Sequence, residues 1–128
     1  MEVPILKQGP YLIASIQSAL SDADLLQLRD AIVHQVGMFR SRGVIVDVTA
    51  LDVMDSFATR TLRDITFMIR LRGAETVIVG IQPDVAFTMV QLGLKLEGVP
   101  TALDLEEGIA FLNQKGPTPG KEASLRGR

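Results

Sequence analysis

Short apolar runs alternate along the chain with longer segments in which apolar residues recur every three or four positions, the signature of strands and helices in turn. Ile5 to Lys7 and Tyr11 to Gln17 are β-rich runs separated by Gly9-Pro10, which predicts a hairpin-like pair at the start. Ser21 or Asp22 then caps a helix to about Arg40, with Leu25, Leu28, Ile32, Val36 and Phe39 at helical spacing. Gly43 ends that connection. Val44 to Val48 is an apolar, β-branched run, as a strand buried on both faces of a parallel sheet requires. A second helix is predicted over Ser56 to Arg72, stopped by Gly73, followed by a buried strand over Thr76 to Ile81. Pro83 opens a third helix at its favoured first position, and Gly93 to Gly98 closes it. A short strand at Thr101 to Leu103 leads into a last helix from Asp104 or Leu105 to about Gln114. The order ββαβαβαβα predicts one α/β domain over residues 1–114, with a mostly parallel sheet, an antiparallel edge strand and right-handed crossovers.

Composition narrows the class. A chain of 128 residues is long enough to bury about two thirds of its unfolded surface. It holds no cysteine, which excludes disulfides and cysteine metal sites and fits a reducing, cytoplasmic setting. Glu2, Pro4, Lys7, Gly9 and Pro10 interrupt any export signal, and no run nears the roughly 18 apolar residues of a membrane span. The net charge of −2 conceals an asymmetry: Lys115, Lys121, Arg126 and Arg128 against Glu122 put +3 on residues 115–128, leaving −5 on residues 1–114. A nucleic-acid partner is not expected for the folded part. The segment 115–128, rich in Gly, Pro and charge, is expected to be a disordered basic tail, with a docking arm as the alternative.

Chemistry concentrates in IVDVTALDVMDSFA, Ile45 to Ala58, where a strand runs out at Asp47 and Asp55-Ser56 stands where a helix begins. Asp and Ser are the usual N-cap residues, so capping alone accounts for both. On that reading, loss of the Ser56 oxygen costs about 0.5–2 kcal/mol. The other reading is a switch: a phosphate on Ser56 would meet the unpaired N–H groups and positive dipole end of the helix.

Enzymatic alternatives fare worse. The single histidine, His34, lies about 200° around the first helix from Ile32 and faces away from its apolar stripe, so no nucleophile has a base. Asp47, Asp52 and Asp55 cluster near a strand's C-terminal edge, where they serve turns and caps or, alternatively, hold Mg²⁺ or a nucleotide. A receiver-like phosphoacceptor would use Asp47, but the acidic pair after the first strand and the lysine after the last strand are missing. No glycine-rich phosphate loop appears.

Blocks along residues 4–114 carry a resemblance: PILK at Pro4 to Lys7, SIQ at Ser15 to Gln17, GVIVDVT at Gly43 to Thr49, DSF at Asp55 to Phe57, GIQP at Gly80 to Pro83 and TALDLEEG at Thr101 to Gly108. In this order they resemble the STAS domain family of anti-sigma factor antagonists, in particular its RsbS-type stressosome branch. The resemblance implies a non-enzymatic phosphoswitch without metal or cofactor. Ser56 would be phosphorylated by an RsbT-type switch serine kinase, with Asp55 and Phe57 supporting the switch. It also implies co-assembly with RsbR-type STAS proteins in a large stressosome, through a homo-oligomeric or dimeric state, in the stress response. Many anti-anti-sigma relatives carry Gly two residues after the serine, where this chain has Ala58, and the DSF form fits the stressosome branch.

On the wheel of residues 57–72, Ala58, Leu62, Ile65 and Ile69 group within about 60° and must face the sheet. Phe67 and Leu71 fall on the opposite side, flanked by Arg60, Arg63 and Arg70. An aromatic anchor among arginines is what interface centres favour, so these five are the candidate partner surface.

Overall fold

The computed structural model describes residues 3–115. Nine elements follow in the expected order: β1 (Ile5–Gln8), β2 (Tyr11–Ser15), α1 (Asp22–Phe39), β3 (Gly43–Asp47), α2 (Ser56–Leu71), β4 (Glu75–Val79), α3 (Pro83–Gln91), β5 (Thr101–Ala102) and α4 (Leu105–Lys115). The strands form one sheet in sequence order, with β1 antiparallel to β2 and every other pair parallel. Lys115, assigned above to the tail, ends α4. The rest of the expected tail, residues 116–128, lies outside the described residues.

Register decides which side chains meet each helix. Leu12, Val44 and Thr76 stand side by side across β2, β3 and β4, as do Ile13, Ile45 and Val77 one residue later. Successive strand residues point to opposite faces, so these rows line different layers. The first face carries the larger core, where Leu12, Ala14, Val44, Val46 and Ile78 meet Leu28, Ile32 and Val36 of α1, Leu62, Ile65 and Ile69 of α2, and Val85 and Met89 of α3. On the second face Ile13, Ile45, Val77 and Val79 pack beneath Leu112 of α4.

Helix α1 ends where expected, whereas Gly43 and the end of β4 take roles that packing decides. Helix α1 ends because Arg40 takes the left-handed conformation at φ 51°, its N–H reaching Val36 O. Gly43, which ends the connection after α1, is the first residue of β3, where a Cβ would stand 2.9 Å from Leu112 Cδ1. The strand predicted to reach Ile81 ends at Val79. Gly80 turns away at φ 84°, and Thr49 Oγ1 occupies the place a Cβ would need. That contact ties the turn after β4 to the loop after β3.

Helix α2 matters most for function, and packing sets its rotation. Leu62, Ile65 and Ile69 are at most 1% exposed, and burying each contributes roughly 1.5–3 kcal/mol. Turning the helix would expose them. With that face committed to the sheet, Ser56, Arg60 and Phe67 are left exposed. Among the described residues, no helix is long and apolar enough to cross a membrane.

Candidate functional site

The β3–α2 connection is braced at both ends by short polar contacts. The Asp47 carboxylate accepts from Thr49 N at 2.9 Å and from Thr49 Oγ1 at 2.6 Å, forming a tight turn at the end of β3. Gln82, just ahead of α3, donates its side-chain amide to Thr49 O at 2.6 Å. At the other end Asp55 is the N-cap of α2, accepting from Ala58 N at 2.8 Å. Asp52 is exposed on the loop between them.

These contacts correct one expectation and choose between the alternatives of another. The cap oxygen belongs to Asp55 and not to Ser56, the first helical residue, so the 0.5–2 kcal/mol assigned above to the Ser56 oxygen moves to its neighbour. Asp47 and Asp55 follow the turn-and-cap reading, each accepting from a backbone N–H. Among the described residues no group of three His, Cys, Asp or Glu side chains is placed to share a metal ion. His34 is exposed on α1, as its wheel position requires.

Ser56 differs from every hydroxyl nearby. Thr59 Oγ1 donates to Asp55 O and Thr61 Oγ1 to Phe57 O, each at 2.8 Å, and both residues are buried. Thr49 is exposed, but its hydroxyl is taken by Asp47. Ser56 is exposed, on the first turn of a capped helix. Beside it Phe57 is half-buried, with the Arg60 guanidinium 5.9 Å from its ring centroid.

The outward stripe of α2 is only partly open. Arg63 donates to Lys95 O at 3.0 Å, and Arg70 donates to Gly98 O and Glu75 Oε1, each at 2.9 Å. The Phe67 ring stacks with Arg70 and lies against Gly98, 3.4 Å from where a Cβ there would stand. The α3–β5 connection thus runs along the stripe, and Arg63, Phe67 and Arg70 hold it. Arg60 and the 88% exposed Leu71 carry no such load. Together they leave a smaller free surface than the five-residue patch expected from the wheel.

Between the stripe and the connection lies a groove of about 380 Å³, lined by Ser56, Thr59, Arg60, Arg63, Gly93, Leu94, Lys95 and Glu97. Lys95 escaped sequence reasoning, because GLKLEG registers as a helix stop and nothing local ties it to a residue 39 positions earlier.

Comparison with known proteins identifies the class to which this architecture belongs. The chain belongs to the STAS domain family, whose family model matches residues 2–108. Among the proteins it is similar to are ones of the RsbS and RsbR type. It is similar to the structure of a serine-to-glutamate variant of RsbS from Moorella thermoacetica, at 35% identity and a TM-score of 0.75, covering 88% of this chain and 96% of that one. A chain from a structure of the stressosome, described as a signal integration and transduction hub, is 33% identical with a TM-score of 0.71, covering 90% of this chain and 100% of that one. The RsbT co-antagonist protein RsbRA of Bacillus subtilis is 31% identical over 83 residues, 65% of this chain. The match spans only 30% of RsbRA's own length.

Proposed function

We propose that this chain is a stressosome scaffold and phosphoswitch, holding an RsbT-type serine kinase while Ser56 is unmodified and releasing it once Ser56 carries phosphate. The observation that carries the reading is the free, exposed Ser56 on the first turn of a helix already capped by Asp55. Phosphate there adds about −1.5 to −2 charges without displacing a structural hydrogen bond. The likeness to RsbS over nearly the whole chain supports the same assignment. On this reading the chain co-assembles with RsbR-type STAS proteins, through self-association of STAS domains, and performs no catalysis itself. The kinase supplies the chemistry: the Ser56 hydroxyl oxygen attacks the γ-phosphorus of ATP, ADP leaves, and the hydroxyl proton passes to the kinase's base.

The helix is favoured by the added charge, so release follows from altered charge at the docking surface, with little change in circular dichroism. The test is incubation with ATP and an RsbT-type kinase, site mapping by mass spectrometry, and measurement of kinase retention on immobilised protein. Stoichiometric label on Ser56 with release of the kinase is expected, and Ser56→Ala should retain it. Label on another residue, or release that ignores Ser56→Ala, rejects the reading.

A further inference from the structure

The groove beside Ser56 is lined by cations from two separate parts of the chain. Arg60 and Arg63 come from α2, and Lys95 comes from the α3–β5 connection. By helical geometry Arg60 lies about 40° and Arg63 about 20° around α2 from Ser56, so all three share one stripe. Arg63 has one guanidinium nitrogen on Lys95 O, and its remaining donors are available to a second acceptor. Glu97 is the single carboxylate among the lining residues. Three cations against one carboxylate leave a net charge of +2 around an open volume of about 380 Å³. A phosphate monoester of charge about −1.5 to −2 would neutralise it.

We infer that the groove is a phosphate clamp for the chain's own Ser56: once phosphorylated, the side chain folds over the first turns of α2 and its phosphoryl oxygens are held by Arg60, Arg63 and Lys95. This rests on Ser56 being a phosphorylation site and adds where the phosphate goes and what it changes. The clamp has two effects. It bridges α2 to the 92–98 segment, tightening a connection that Arg63 and Arg70 already hold. It also removes the positive potential of the groove, which in the unmodified chain is open to an anionic group of a partner. Modification thus erases a charged patch without moving the backbone of the helix.

The test uses the full chain with phosphoserine installed at position 56 during translation, so that no kinase is needed. A ³¹P NMR titration at low salt reads the second ionisation of the phosphate, for which an unperturbed group lies near pH 6. Asp55 and Glu97 oppose the doubly charged form, whereas Arg60, Arg63 and Lys95 favour it. The clamp requires the midpoint to fall by about half a unit or more. Lys95→Gln, which alters nothing on α2, should return a few tenths of that shift, and so should Arg60→Gln. Amide exchange at 94–97 should slow on phosphorylation in the parent chain and not in Lys95→Gln. A midpoint that neither variant moves, with exchange at 94–97 unchanged, overturns the clamp. A clamp found in a chain that an RsbT-type kinase ignores would reject the proposed function and leave this inference standing.

Discussion

Exchanging the two residues at the start of α2 for alanine, one at a time, separates cap from switch. Asp55→Ala removes the oxygen that accepts from Ala58 N at 2.8 Å. It also removes a negative charge at the positive end of the helix, and together these losses cost about 0.5–2 kcal/mol. For a chain of this size 1 kcal/mol corresponds to a shift in Tm of roughly 3–6 °C, so Asp55→Ala should melt about 1.5–12 °C lower. Ser56→Ala removes an exposed hydroxyl at a helical position where alanine is the better helix former, and is expected to be neutral or more stable by a few tenths of a kcal/mol. Urea denaturation followed by circular dichroism measures both, and an unchanged slope shows that each variant unfolds from the same compact state. The opposite order would refute the argument. If Ser56→Ala lost more than about 1 kcal/mol while Asp55→Ala lost nothing, the serine would be the cap and its hydroxyl would not be free for modification.

Gly80→Ala should be among the most damaging single-methyl changes in the chain, because φ is 84° and the new Cβ would run into Thr49 Oγ1. A loss of about 2 kcal/mol or more is expected in urea, and a loss under about 0.5 kcal/mol would show that the turn tolerates a side chain. Phe67→Ala should destabilise by about 1–2 kcal/mol, well below the 3–5 typical of a buried ring, since Phe67 is 43% exposed. Amide exchange should accelerate around Gly98, against which the ring packs, with β3 unaffected. A globally uniform acceleration would instead make Phe67 a core residue. Leu71→Glu, at a position 88% exposed, should leave the urea midpoint unchanged. If Leu71 belongs to an assembly contact, the variant should fail to enter larger complexes in sedimentation experiments, and unaltered assembly removes it from that surface.

Hydrophobic periodicity, punctuated by Gly, Pro and cap residues, determined the order of the nine elements among the described residues, because strand and helix place apolar residues at different repeats and this chain keeps them distinct. It also located the buried face of α2, since Leu62, Ile65 and Ile69 share one side of any α-helix whatever surrounds it. The serine at the helix start was legible for the same local reason. Which residue caps was not: Asp55 and Ser56 are both suitable, and the choice rests on one backbone rotation that fixes where α2 begins. Nor could the wheel reveal that Arg63, Phe67 and Arg70 hold the 92–98 segment, because those contacts join residues 28 to 32 positions apart. Gly43 and Gly80 carry no local mark of what they pack against, yet one admits Leu112 and the other makes room for Thr49. Only tertiary packing decides such roles, since they depend on which distant side chain arrives at a given backbone atom. The groove that unites Ser56 with Lys95 exists for that reason alone: the sheet order brings the end of β3 and the loop after α3 to the same edge of α2.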